Sequence, residues 1–229
     1  MDLFKGRAVL VTGGTGALGS AVVRALLDEG AVCHVTWRNE KEVERFELKD
    51  QVMLHQLDAQ SEEGVTKLFG EIGELWASVH TIGGFAMAPV EKTSCDDFVR
   101  MFQINAMTCF LCCREAIKIM RSKGGGGRIV NVAARPAVVP TGGMIAYSTS
   151  KAAVASITQS LAEEVRQEGI LINAILPSVM DTPANRKAMP GADYSKWPKV
   201  QEVAEAIRFL VSPENALTTG TLIPVYGKA

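Results

Sequence analysis

Tyr147 and Lys151 stand four residues apart at the end of NVAARPAVVPTGGMIAYSTSK, the stretch from Asn131 to Lys151. On a helix this spacing puts both side chains on one face, with Cβ atoms about 6 Å apart. An ammonium that close favours a phenolate over a phenol and lowers a reference pKa near 10 by roughly one to three units. The chemistry on offer is proton transfer by Tyr147 near neutrality, with Lys151 tuning it. The run ahead of the pair carries Ala133 and Ala134, where a second hydroxyl donor would be expected.

A second constellation lies near the N-terminus. TGGTGALGS follows an apolar run directly, with Gly13, Gly16 and Gly19 three apart, and helical periodicity resumes at once. Glycines between a first strand and a first helix permit a tight turn and let backbone N–H groups approach a pyrophosphate. The loop from Gly13 to Gly19 is therefore expected to cradle a dinucleotide, with Thr15, Ala17 and Leu18 among its contacts. With a dinucleotide in place, Lys151 is also expected to hold the nicotinamide ribose.

After the second apolar run, VTWRNEK offers Trp37 and Arg38 where an acidic residue would accept hydrogen bonds from the adenine ribose. A guanidinium pairs with a 2′-phosphate and stacks on adenine, so NADP(H) is expected in preference to NAD(H), with NAD(H) still possible. Asp58, directly after QVMLHQL, is placed to take a hydrogen bond from the adenine amino group. Gly83 and Gly84 end the fourth apolar run, where close backbone approach to the cofactor is expected.

The elements that must position these residues alternate. RAVLVTGG, AVCHVTW, QVMLHQLD, SVHTIGG, RIVNVAA, ILINAILP and TGTLIPVYG read as strands, with segments of helical period between them. Strands this rich in Val, Ile and Leu, joined by crossover helices, imply a mainly parallel, doubly wound α/β sheet covered on both faces. Ligands bind such sheets beyond the carboxyl ends of the strands, which is where the residues above fall. GGGG, from Gly124 to Gly127, reads as a turn between a helix ending in IKIMRSK and the strand RIVNV. The segment from Pro177 to Pro198 shows little strand or helix character and is expected to be a loop over the substrate.

With 229 residues and 47% apolar content, the chain is expected to form one domain over 1–229 with a substantial core. Its net charge of −1, with both signs mixed, gives no footprint for nucleic acid or an anionic membrane surface, so a small-molecule partner is favoured. The N-terminus reads as lacking a secretory leader and no segment has the length of a membrane span, which points to the cytoplasm. Cys109, Cys112 and Cys113 crowd into NAMTCFLCCREA and are expected to be reduced core residues. His34, His55 and His80 are scattered singly and no metal is expected.

From the glycine loop through YSTSK to TGTLIPVYG, the sequence resembles the short-chain dehydrogenase/reductase family over nearly its whole length. That resemblance implies a Rossmann domain with a seven-stranded sheet, usually assembled as a homodimer or homotetramer. It implies that Asn105 is catalytic, steadying a proton-relay water, and that Thr182 contacts the nicotinamide carboxamide, with Pro177 also at the cofactor. Two departures stand out. Ala17 occupies a place where the family commonly has glycine, and the catalytic serine, thirteen residues before the tyrosine, is Ala134. GGTGALGS, PTGGMIAYSTSKAAV and DTPANRKAMPGADYSKW look like the quinonoid dihydropteridine reductases of this family, which also have alanine there.

Carbonyl reduction collects charge on one oxygen, and losing one donor to it typically costs about 10²- to 10³-fold in rate. A conjugated quinonoid dihydropterin spreads the charge over several heteroatoms, so one donor suffices and alanine leaves room for a flat bicyclic ring. On this reading the substrate lies against Ala134, Met144, Tyr147 and Met189. The alternatives are an ordinary ketone or aldehyde reductase, with Thr141, Ser148 or Ser150 supplying the hydroxyl, and a catalytically silent dinucleotide-binding sensor or scaffold.

Overall fold

The computed structural model describes residues 2–228. Seven strands form one sheet: β1 (Ala8–Thr12), β2 (Val32–Trp37), β3 (Met53–Gln56), β4 (Ala77–His80), β5 (Gly127–Val132), β6 (Ile170–Pro177) and β7 (Leu222–Val225). Their order is β3-β2-β1-β4-β5-β6-β7, and every pairing is parallel. The chain reverses direction across the sheet between β1 and β4, which opens a crevice at their carboxyl ends.

Both sheet faces are covered, so inward and outward side chains of one strand are buried alike. Leu10 joins one apolar cluster while its neighbours Val9 and Val11 join the other. The first cluster takes in α3 (Glu62–Ile72), α5 (Thr108–Ser122) and α6 (Ile145–Glu164), and the second takes in α1 (Ala17–Leu27) and α8 (Val200–Val211). Full burial of each Val, Leu or Ile favours the fold by roughly 1.5–3 kcal/mol, which explains why the strands are continuous apolar runs. The GGGG run does form the turn between α5 and β5.

Helix starts follow their capping residues. Ser61 Oγ accepts from the Gly64 N–H at 3.1 Å to begin α3, and Ser94 Oγ accepts from the Asp97 N–H at 3.0 Å to begin α4 (Cys95–Phe102). Between α4 and α5 the rod passes through a π-helical turn, Gln103–Met107. A short helix, α2 (Glu40–Glu44), follows β2, capped by Asn39 Oδ1 at 3.0 Å from the Lys41 N–H.

The segment after β6 is more ordered than its sequence suggests. It contains α7 (Pro183–Ala188) and a 3₁₀ turn at Tyr194–Lys196. Thr182 caps α7, Pro183 takes the first helical position where a missing N–H costs nothing, and Arg186 pairs with Asp181 at 2.6 Å. These local interactions offset the weak helical propensity of six residues.

Candidate active site

The glycine loop joins β1 to α1. Gly13 has φ of 67° and donates its N–H to Thr36 Oγ1 at 2.9 Å, while the Gly16 N–H returns to the Gly13 carbonyl at 3.0 Å. A Cβ on Gly19 would lie 2.3 Å from the Gly13 carbonyl oxygen, so only glycine lets the helix seat this closely on the turn. Gly16 is the N-cap of α1 and supplies no side-chain cap, which leaves backbone N–H groups at the helix start for an anion.

A cavity of about 410 Å³ opens beside this loop. Gly13, Thr15, Gly16, Trp37, Arg38, Asp58 and Gly83 line it, together with Glu42, which the sequence analysis does not single out. The Arg38 side chain is exposed and has no hydrogen bond or ion pair among the described residues. Asp58 Oδ1 accepts from the Gln60 N–H at 3.2 Å, a turn contact, while its residue remains on the cavity wall.

At the other end of the crevice, β4 leads into Gly83. A Cβ there would meet Asn105 Oδ1 at 2.7 Å and Lys151 Nζ at 3.1 Å, so the bare backbone is what brings these two side chains to the crevice. Asn105 is buried in the π-helical turn. Its Oδ1 accepts from the Gly84 N–H at 2.9 Å, and its Nδ2 donates to the Gly84 carbonyl at 3.1 Å and to Ser150 Oγ at 3.0 Å. The side chain thus ties the end of β4 to α6, and its polar atoms are engaged in that tie. A π-helical turn aims its residue differently from a regular helix and is a common device at functional sites.

Tyr147 and Lys151 lie on α6 as their spacing predicts, but they do not couple as expected. Lys151 is 5% exposed and its Nζ donates to the Val132 carbonyl at 2.8 Å. Burial lowers its pKa to about 8, with the nearby Cys109 thiol working weakly the other way. Tyr147 moves upward, to about 12, because burial penalises its phenolate. The expected lowering of the phenol by the ammonium is therefore corrected: desolvation governs both groups. Tyr147 is a phenol throughout the physiological range, the form that gives up a proton. Its ring meets that of Phe85 edge-on at 5.0 Å between centroids, and its hydroxyl has no hydrogen-bond partner among the described residues.

Ala134, two residues beyond β5, is 5% exposed and presents a methyl group. Ser150 Oγ donates to the Tyr147 carbonyl at 2.7 Å and Thr141 Oγ1 to the Val139 carbonyl at 3.2 Å. Ser148 Oγ is buried without a partner. It follows Tyr147 directly, so a helix turns it about 100° away.

Met144 lines a second cavity of about 290 Å³ with Met87, Ile145 and Ala146. Met189 is 43% exposed at the C-terminus of α7 and lines neither cavity. Pro177 is buried at the end of β6, and Thr182 Oγ1 accepts from the Asn185 N–H at 3.2 Å, so its hydroxyl is engaged in capping. Ala17 and Leu18 form the first turn of α1.

The histidines are not scattered singly. His34 Nδ1 lies 3.0 Å from His55 Nε2 across β2 and β3. His80 bonds Ser78 Oγ and Asn131 Oδ1, each at 2.8 Å, so both its ring nitrogens are engaged, and it gathers with Cys109 and Cys113 within 4.8 Å. Cys109, Cys112 and Cys113 are buried and unbridged. The Cys109 thiol is pushed up, chiefly by its contact with Cys113, whose own pKa is pushed down by the same contact.

A family model described as short chain dehydrogenase matches residues 7–193. A 3beta-hydroxysteroid dehydrogenase of Mediterraneibacter gnavus is 33% identical over 264 residues, covering 97% of this chain and 94% of the relative. A 3-oxoacyl-(acyl-carrier-protein) reductase of Rickettsia typhi is 29% identical, covering 98% of this chain and 97% of the relative. Among solved structures, ElxO with NADP bound matches with a TM-score of 0.90 at 25% identity, covering 97% of this chain and 98% of that one. The sheet order, the glycine loop and the Tyr147–Lys151 helix thus sit in a chain that belongs to the short-chain dehydrogenase family.

Proposed function

We propose that this short-chain dehydrogenase is a nicotinamide-dinucleotide-dependent reductase whose acceptor is a flat conjugated heterocycle of the quinonoid dihydropterin kind. The observation that carries the reading is the buried methyl of Ala134, with the hydroxyls of Ser150 and Thr141 committed to backbone carbonyls. A cofactor of this class fits the residues present, since the loop is closed to any Cβ at Gly19, α1 starts without a side-chain cap, and the Arg38 guanidinium is free of other partners among the described residues. Arg38 supports NADPH as the better form, with NADH accepted.

When bound, the reduced nicotinamide supplies a hydride equivalent to the acceptor. Tyr147 supplies the proton from its hydroxyl, held as phenol by burial. Lys151, anchored on the Val132 carbonyl, is placed to donate to ribose hydroxyls. Asn105 fixes the Gly84 backbone against α6 and so sets the depth of the crevice. Phe85, 61% exposed and edge-on to Tyr147, offers an apolar wall to a planar ring. An acceptor that delocalises charge tolerates the absent second donor.

A second reading, a ketone or aldehyde reductase, is favoured by relatives named for hydroxysteroid and oxoacyl substrates. We also read the protein as a cytoplasmic homodimer or homotetramer. Phe98, Phe102 and Phe110 are each exposed along the α4–α5 rod, and no helix among the described residues is long and apolar enough to cross a membrane. The test follows consumption of NADPH and NADH with chemically generated quinonoid dihydropterin and with a panel of ketones and aldehydes. Preferential pterin turnover is expected; faster ketone turnover selects the second reading.

A further inference from the structure

We infer that Glu42 sets the balance between NADPH and NADH by presenting its carboxylate to the 2′ position of the adenine ribose. The inference rests on the dinucleotide reading above and adds a residue that opposes Arg38. No acid follows β2 directly, but α2 carries Glu42 one helical turn beyond Arg38 and back onto the cavity wall. There Glu42 Oε2 accepts from Thr15 Oγ1 of the glycine loop at 3.0 Å and, more distantly, from the Arg38 N–H at 3.5 Å. The Arg38 guanidinium, although four residues away, is not paired with this carboxylate. One wall of one cavity therefore presents an unpaired cation and a carboxylate separately.

Each nucleotide form uses that wall differently. A 2′-phosphate gains Arg38 but meets the Glu42 charge. It must also take the Thr15 hydroxyl from Glu42, because that hydroxyl has one hydrogen and serves one acceptor at a time. A 2′-hydroxyl has a hydrogen to donate, and Glu42 accepts it without displacing Thr15, since a carboxylate oxygen carries a second lone pair. Glu42 thus substitutes for the acidic residue missing after β2 and limits the preference that Arg38 confers.

The test is calorimetric and needs no turnover. Adenosine 2′,5′-bisphosphate, 5′-AMP and 2′-deoxy-5′-AMP are titrated into the full-length protein and into Glu42→Gln and Glu42→Ala, at an exposed position where folding is not at stake. Both variants are expected to bind the bisphosphate about tenfold more tightly, the effect of removing one like charge at close range near a surface. Glu42→Ala is expected to lose the preference for 5′-AMP over its 2′-deoxy form, and Glu42→Gln, whose amide oxygen still accepts, to keep it. A ratio of bisphosphate to 5′-AMP affinity that is unchanged or lower in both variants overturns the role of Glu42 while leaving the dinucleotide reading standing. Failure of every nucleotide to bind the wild type overturns that reading and Glu42's role with it.

Discussion

Lys151 Nζ donates to the carbonyl oxygen of Val132 at 2.8 Å, which anchors the ammonium to the end of β5 at the floor of the crevice. Burial there holds its pKa at about 8, whereas the Tyr147 phenol is pushed up to about 12. Through the working range the phenol keeps its proton, so of this pair it is Lys151 that titrates nearer neutrality. We expect kcat/KM for reduction to be level near neutrality and to fall as pH rises through about 8, where the ammonium is lost. Lys151→Arg keeps the charge and is expected to flatten that limb, whatever its absolute rate. A limb that persists unchanged in the arginine variant assigns it to another group.

The methyl of Ala134 predicts a selective gain. Ala134→Ser adds a donor where charge collects in ketone reduction, and ketone turnover is expected to rise about tenfold or more, with no gain on quinonoid dihydropterin. Ser148→Ala is expected to leave both substrates unaffected, because that hydroxyl points around the helix from Tyr147. Steady-state kinetics on the two substrate classes check both variants.

Gly83 predicts a loss at a residue that bears no chemistry. An added Cβ would sit 2.7 Å from Asn105 Oδ1 and 3.1 Å from Lys151 Nζ, so both must shift. Gly83→Ala is expected to lower kcat about 10²-fold, the scale of an ångström of misplacement, while costing about 1–3 kcal/mol of stability. Equal kcat in variant and wild type would show that Asn105 and Lys151 need not hold these positions.

His34 and His55 predict the acid side of the stability profile. Burial lowers both pKa values below 6.5, and for His34 the neighbouring His55 adds to the effect. The unfolded chain therefore binds more protons, and stability is fully present above 6.5 and declines as pH falls through and below it. Thermal unfolding between pH 7.5 and about 5 is expected to show a falling Tm, with a shallower slope in His55→Gln. An identical slope in that variant removes the pair as its source.

Much of this architecture is legible in the chain. Runs such as RAVLV and ILINAIL announce buried parallel strands because both faces are apolar, and the glycine loop and the Tyr147–Lys151 spacing act within a few residues. What escapes a linear reading depends on register or on burial. His34 and His55 meet because β2 and β3 pair in parallel with Thr36 opposite His55. His80 reaches Asn131 because those residues are partners between β4 and β5. Glu42 looks like any solvated charge until α2 folds it against Thr15, and α7 is too short for periodicity to declare it. The inverted behaviour of Tyr147 and Lys151 has the same origin: spacing shows that two groups are close, but desolvation, which decides their pKa values here, is a property of the packed fold.

The central claim is that one phenol, that of Tyr147, is the proton donor to a charge-delocalising acceptor. Its most direct test is the rate of quinonoid dihydropterin reduction by Tyr147→Phe with saturating NADPH, beside the wild type. A fall of about 10²-fold or more, with nucleotide binding retained, is the predicted result. Reduction at the wild-type rate by the phenylalanine variant would contradict it.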